Sequence, residues 1–180
     1  ADHVDPQYHF WIKPGFSTPS WAKGAVFYQI YVDRFFNGDT SNDVETDEYF
    51  YIGEGTEKVE DWNKYPAQMG VREFYGGDIA GVWQKLDYLQ DLGVEVIYFN
   101  PIFVSPSNHK YDIQDYDYID PHIGKIVKDE GELLKRSEQG NLMCDPEHPN
   151  KNASRYICRV TDKENLEASN QFFADFVEEA

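Results

Sequence analysis

The sequence predicts an α/β fold whose strands run parallel and whose ligand face lies at their carboxyl ends. Three observations carry this. Two short runs, Ala25–Val32 and Val94–Phe99, are rich in β-branched and aromatic residues and hold no glycine or proline, the composition of strands buried in a parallel sheet. Between them, the stretch from Ile79 to Leu92 places Val82, Leu86 and Leu89 on one helical stripe. The connections are also lopsided: the helix gives way to the next strand at once, whereas loops far longer than the usual ~2 to 6 residues follow each strand. In parallel α/β folds the strand-to-helix loops form the ligand face, and the opposite turns serve stability.

Each element has its own local reason. Residues 1–20 scatter Pro6, Pro14, Gly15 and Pro19 among isolated aromatics and read as a linker or the tail of a preceding domain. The run Ala25–Val32 is apolar on both faces apart from Gln29, so burial on both faces is expected. From Asp33 to Gly77 the chain is broken by Gly38, Gly53, Gly55, Pro66 and Gly70, with Tyr49-Phe50-Tyr51 suggesting a short hairpin strand. Asp78 is suited to cap the helix Ile79–Leu92, and Gly93 closes it at C′. Residues 125–160 are polar and irregular, marked by Gly131, Gly140, Pro146 and Pro149, and read as a mobile insertion. Thr161-Asp-Lys-Glu164 supplies a capping box for a last helix with an apolar stripe of Leu166, Phe172, Phe173, Phe176 and Val177.

Charge and composition narrow the ligand. Sixteen basic against 33 acidic side chains give a formal charge of −17, which repels nucleic acid and anionic membranes. No run approaches the ~20 apolar residues of a membrane-spanning helix. Thirteen tyrosines offer flat apolar faces with polar handles, suited to a neutral ring-shaped ligand such as a sugar. Cys144 and Cys158 alone make no disulfide framework and no cysteine-based zinc spacing; a bridge between them and two free thiols both remain open.

An ordered set of motifs is then recognisable: Val26-Phe-Tyr-Gln-Ile-Tyr-Val-Asp-Arg-Phe-Phe-Asn-Gly-Asp39, Phe74-Tyr-Gly-Gly-Asp78, Gly93-Val-Glu-Val-Ile-Tyr-Phe-Asn-Pro-Ile-Phe103, His109-Lys-Tyr-Asp-Ile-Gln-Asp-Tyr116 and Ile119-Asp-Pro-His-Ile-Gly124. Together they resemble the α-amylase family of glycoside hydrolases, in its neopullulanase, maltogenic-amylase and cyclomaltodextrinase branch. The resemblance implies that residues 21–180 are the N-terminal portion of a (β/α)8 TIM barrel, its first two β/α units. It implies part of a retaining hydrolase of α-glucans whose nucleophile, acid/base and transition-state-stabilising carboxylates follow later strands absent from this chain. Retention needs two carboxyl groups held ~5 to 5.5 Å apart across the bond, so this chain alone is expected to be inactive.

The same resemblance assigns sites. Tyr111 would stack on the sugar beside the cleaved bond, Asp112 would accept hydrogen bonds from its hydroxyls, and His109 could donate to one. Asn37, Asp39, Asn42, Asp43, Gly76 and Asp78 match the calcium site of the branch, whose ion needs six to eight oxygens. The turn at Asn37 also imitates part of an EF-hand loop, but a strand precedes it and Asn42 stands where that loop requires glycine. Asp115, Tyr116, Asp117 and Asp120 are expected to cap and pin their loop. The competing reading is a noncatalytic carbohydrate-binding module, which would be a β-sandwich of short strands. The partners expected are an α-glucan oligosaccharide, the remainder of the barrel and, through exposed strand edges, further copies of the chain.

Overall fold

In a computed structural model, which describes residues 13–180, the two expected strands lie side by side and point the same way. Strand β1, Phe27–Ile30, and strand β6, Val96–Phe99, pair in parallel, with Phe27 opposite Val96 and Ile30 opposite Phe99. Both are shorter than the apolar runs that encode them. After β1 a 3-10 turn at Val32–Arg34 begins the first long connection, which holds four two-residue strands: β2 (Phe50–Tyr51), β3 (Glu54–Gly55), β4 (Glu57–Lys58) and β5 (Glu73–Phe74). The antiparallel pair β2–β3 is the hairpin read from Tyr49-Phe50-Tyr51, and Ile52 and Gly53 turn it with positive φ.

Asp78 caps the following helix as expected, its carboxylate accepting from Gly81 N at 2.6 Å. The helix is not continuous. It divides into α1, Ile79–Gln84, and α2, Leu86–Asp91, because Lys85 leaves helical angles and its N–H bonds Val82 O in a tighter i−3 turn. Gly93 takes φ +81° at the end, and Val94 N returns to Leu89 O, so β6 starts almost at once. The second connection opens with an antiparallel pair that sequence periodicity did not reveal, β7 (Phe103–Val104) against β8 (Asp115–Ile119).

The stretch 125–160, expected to be irregular, carries a small hairpin, β9 (Lys135–Arg136) with β10 (Leu142–Met143), and the eight-residue helix α3, Ser154–Thr161. The last helix, α4, spans Lys163–Glu179. Its cap is Asp162, accepting from Glu164 N at 2.9 Å, not Thr161, whose hydroxyl donates to Ile157 O inside α3. A helix that ends at Thr161 leaves the next residue to begin the new one.

Two cores result. Ile30, Val32, Ile79, Val82, Leu89, Ile102, Ile119, Ile123 and Phe176 lie between the parallel pair and the helices α1, α2 and α4. Val44, Tyr49, Phe74, Val104, Leu134, Ala153, Tyr156, Val160 and Leu166 form a second core beneath the long connections. Each large apolar side chain in them contributes about 1.5–3 kcal/mol. The other face of the parallel pair is largely open: Phe27 is 52% and Tyr98 59% exposed, against the expectation of burial on both faces, and Trp21, whose ring lies 6.5 Å from that of Phe27, is itself exposed. Parallel strands with packed helices are not the sandwich of a carbohydrate-binding module. The residues read as a linker lie outside the described residues as far as residue 12.

Candidate functional site

The loop between β7 and β8 leaves and re-enters a paired ladder, so its ends are held. Within it Lys110 takes φ +60°, a left-handed conformation that a residue with a Cβ adopts only when its surroundings impose it. The imposing contact is visible. The buried Lys110 ammonium folds back to Ser105 O at 2.9 Å and Asp120 Oδ2 at 2.6 Å. With Lys110 turned inward, Tyr111 and Asp112 face solvent, and the Tyr111 side chain is 60% exposed. His109 lies beside it with ring centroids 5.8 Å apart; its Nδ1 accepts from Tyr111 N at 3.1 Å and lies 3.1 Å from Ser107 Oγ. That acceptance leaves Nε2 as the N–H able to reach a ligand. Asp115 caps Asp117 N, and Asp120 holds Ser105 N, so both pin the loop as expected.

Asp120 is the start of a buried chain of charges. His122 bonds Asp120 Oδ1 through Nδ1 at 3.0 Å and Glu48 Oε1 through Nε2 at 2.7 Å. Glu48 in turn holds Arg159, at 2.8 Å, and Arg159 also reaches Asp129 and the carbonyl of Asp43. Burial alone would push Asp120 and Glu48 up and His122 down. The neighbouring opposite charges outweigh it, holding both carboxyls below their ordinary values and the imidazole above its own, so His122 carries charge between two carboxylates. Of these residues only Asp120, as a pin of its loop, and Asp43, in the calcium set, carry a role legible in the sequence; His122, Arg159 and Asp129 carry none. The glycine-like backbone at Lys110 and the histidine of Ile119-Asp-Pro-His-Ile-Gly124 carried no periodic signal that could have revealed them.

The six residues matched to calcium do converge. Asn37 Nδ2 donates to Asp43 Oδ1 at 2.7 Å, and Asp78 accepts from Gly38 N, Asp39 N and Asn42 Nδ2 as well as from Gly81 N. Gly76 has φ +78°, and a Cβ there would fall 2.3 Å from Asp43 Oδ1 and 2.5 Å from Asn37 Nδ2, so only glycine fits. Among the described residues three buried side-chain oxygens lack a hydrogen-bond donor: Asn37 Oδ1, Asn42 Oδ1 and Glu73 Oε1. The last lies 2.7 Å from Lys64 Nζ, which leaves the two amide oxygens of this cluster as the unsatisfied pair. Amide oxygens without a donor are the kind of ligand a hard cation accepts.

Lysines already neutralise part of the set, Lys125 on Asp39 at 2.7 Å and Lys58 on Asp43 at 3.2 Å. Burial raises Asp43 and lifts Asp78 to about 6 despite its four N–H donors. Among the described residues no three His, Cys, Asp or Glu side chains come close enough to hold a metal by themselves, so an ion here would depend on amide and backbone oxygens. The residues fit such a donor set.

The family of alpha-amylase catalytic domains matches residues 29–145. The chain belongs to that family. Neopullulanase 2 of Thermoactinomyces vulgaris is 50% identical over 111 residues, 62% of this chain and 17% of the relative. Amylopullulanase of Thermoanaerobacterium saccharolyticum is 47% identical over 125 residues, 61% of this chain and 10% of the relative. Among solved structures, the type III pullulan hydrolase from Thermococcus kodakarensis superposes with a TM-score of 0.52 at 40% identity, over 58% of this chain and 19% of that one. The chain thus spans less than a fifth of the length of each of these relatives. Within the alpha-amylase family fold it is a barrel portion of two β/α units, with Tyr111, Asp112 and His109 in the connection that follows β6 and the Asn37–Asp43 turn in the one that follows β1.

Proposed function

We propose that this chain is part of a retaining glycoside hydrolase of α-glucans and supplies one wall of the sugar-binding cleft. The observation that carries the reading is the presentation of Tyr111: an exposed ring on a turn that a buried lysine forces outward, flanked by His109 and the carboxylate of Asp112. The ring would pack on the apolar face of a pyranose, Asp112 would accept from sugar hydroxyls and His109 Nε2 would donate to one. The Asn37, Asp39, Asn42, Asp43, Gly76 and Asp78 cluster would hold calcium, which supplies charge to fix the first loop against the start of α1 and takes no part in bond cleavage.

The acid and nucleophile carboxyls of the family belong to later barrel strands, so these 180 residues bind without hydrolysing. The remainder of the barrel would pack along β6, where Leu89, Val96, Phe99, Phe173 and Val177 line an open groove of about 570 Å³ that none of the candidate sugar-site residues borders. Titration of the chain with maltotriose, followed by NMR of ¹³C-labelled tyrosine, tests the reading. The Tyr111 ring signal should shift saturably, and Tyr111→Ala should abolish the response of its neighbours. A chain that gives no saturable response, or an unchanged one in Tyr111→Ala, overturns it.

A further inference from the structure

Residues 47–50 are gripped one after another by the segment that follows residue 125. Asp47 is held by Arg136 in a forked pair at 2.7 and 2.6 Å, and its carbonyl accepts from Leu134 N at 2.8 Å. Glu48 is held by Arg159. Tyr49 packs on Tyr156 with ring centroids 4.1 Å apart and the planes tilted by 32°, and its hydroxyl donates to Pro106 O. Phe50 is clamped on both backbone groups by one amide: Phe50 N donates to Asn150 Oδ1 at 2.7 Å, and Asn150 Nδ2 donates to Phe50 O at 3.0 Å. A side chain that occupies both groups of a residue in this way replaces a neighbouring strand.

The next residue is Tyr51, at the tip of the β2–β3 hairpin. Its hydroxyl donates to Asp112 Oδ2 at 2.7 Å, across 61 residues of sequence. Tyr51 is half-buried, whereas Asp112 is exposed on the loop, so the hydroxyl is the fixed partner and the carboxylate the group it orients. Asp112 has no other side-chain donor among the described residues. Burial and this carboxylate bond push the Tyr51 hydroxyl up to about 12, so it remains a donor throughout the neutral range.

We propose that Tyr51 is a positioning residue for Asp112 and that Asn150 sets its place, so that the segment 125–160 shapes the sugar site without touching the sugar. The inference rests on the sugar-binding reading above. With Oδ2 occupied by Tyr51, the Asp112 oxygen left for a ligand is Oδ1, and the direction in which it can accept is set by the hairpin.

The test uses the chain with tyrosine labelled at ¹³Cζ, the Tyr51 signal being identified by its absence in Tyr51→Phe. Maltotriose titrations compare the unaltered chain with Tyr51→Phe, Asn150→Ala and Tyr111→Ala. Tyr51→Phe keeps the ring and removes only the donor, so binding should weaken about fivefold, the worth of one net hydrogen bond. Asn150→Ala should weaken it similarly and lower the Tyr51 ionisation from about 12 by as much as Asp112→Asn does, the part of the rise that belongs to the carboxylate bond and not to burial. Unchanged maltotriose affinity in Tyr51→Phe, with Tyr111→Ala still losing it, overturns the inference and leaves the sugar-binding reading standing. Weaker binding in Asn150→Ala with an unmoved Tyr51 ionisation overturns the role given to Asn150. No response in the unaltered chain overturns both readings together.

Discussion

Replacement of Arg159 by methionine should cost this fold about 4 kcal/mol, the sum of a broken buried ion pair and an abandoned carbonyl. Arg159 is 1% exposed and makes four bonds: Glu48 Oε2 at 2.8 Å, Asp43 O at 2.7 Å, and Asp129 Oδ1 and Oδ2 at 2.8 and 2.9 Å. Removing one member of a buried pair costs about 3–5 kcal/mol, and Glu48 keeps His122, which places this case at the low end of that range. The carbonyl of Asp43 loses the guanidinium donor and adds about 1–3 kcal/mol. Methionine retains most of the apolar stem, so little of the loss is packing. Against a total stability of about 5–15 kcal/mol the effect is large. Urea unfolding followed by circular dichroism measures it, with the slope unchanged if the native state is otherwise intact. Arg159→Lys should fall between, because one ammonium cannot span three partners in a plane. A loss below about 1 kcal/mol in Arg159→Met would refute the account of a charge chain that holds the second core.

Three other outcomes are expected. Calorimetry should record calcium binding by the chain, and Asn42→Ala, which removes one of the two unsatisfied buried amide oxygens, should weaken it at least tenfold; absence of heat and of a thermal shift in the unaltered chain would remove the site. Stability should decline on both sides of a plateau: as pH falls through the depressed values of Asp120 and Glu48, below their ordinary 3.8 and 4.5, and as pH rises through the raised value of His122, above 6.5. His122→Gln should flatten the alkaline limb, and denaturation midpoints that stay parallel to the unaltered chain there would contradict it. The exposed Phe27 and Tyr98 face, with unpaired strand edges beside it, should drive self-association at rising concentration; sedimentation that reports one monomeric species throughout would count against this.

Much of the frame is legible in the sequence. Apolar runs encoded β1 and β6, Asp78 and Gly93 bounded the helical region, and the motif order placed Tyr111 and Asp112 on one loop. These are local signals, carried by residues near one another in the chain. What escaped were features that depend on distant partners. The helix α3 has an apolar stripe of only Tyr156 and Val160 around a buried arginine, and arginine at a core position looks like surface until Glu48 and Asp129 are known to meet it. Asn150 sits in a proline-flanked polar stretch that reads as solvent-facing, yet its amide is consumed by the backbone of Phe50. Lys110 reads as a charged loop residue, although its charge is what turns the loop. The six-residue oxygen cluster was legible as a motif, but the orphaned oxygens of Asn37 and Asn42 were not.

The clamp on the β2–β3 hairpin bears on the order in which the chain can settle. Phe50 meets Asn150 across 100 residues and Asp43 meets Arg159 across 116, so the first connection has no complete anchorage until both have been made. Bringing such remote segments together is slow, because the entropy of closing the loop is lost before any contact compensates for it. On a ribosome the hairpin would therefore remain unsettled while a further hundred residues emerge, and the tyrosine at its tip would be among the last parts of the site to take up its station.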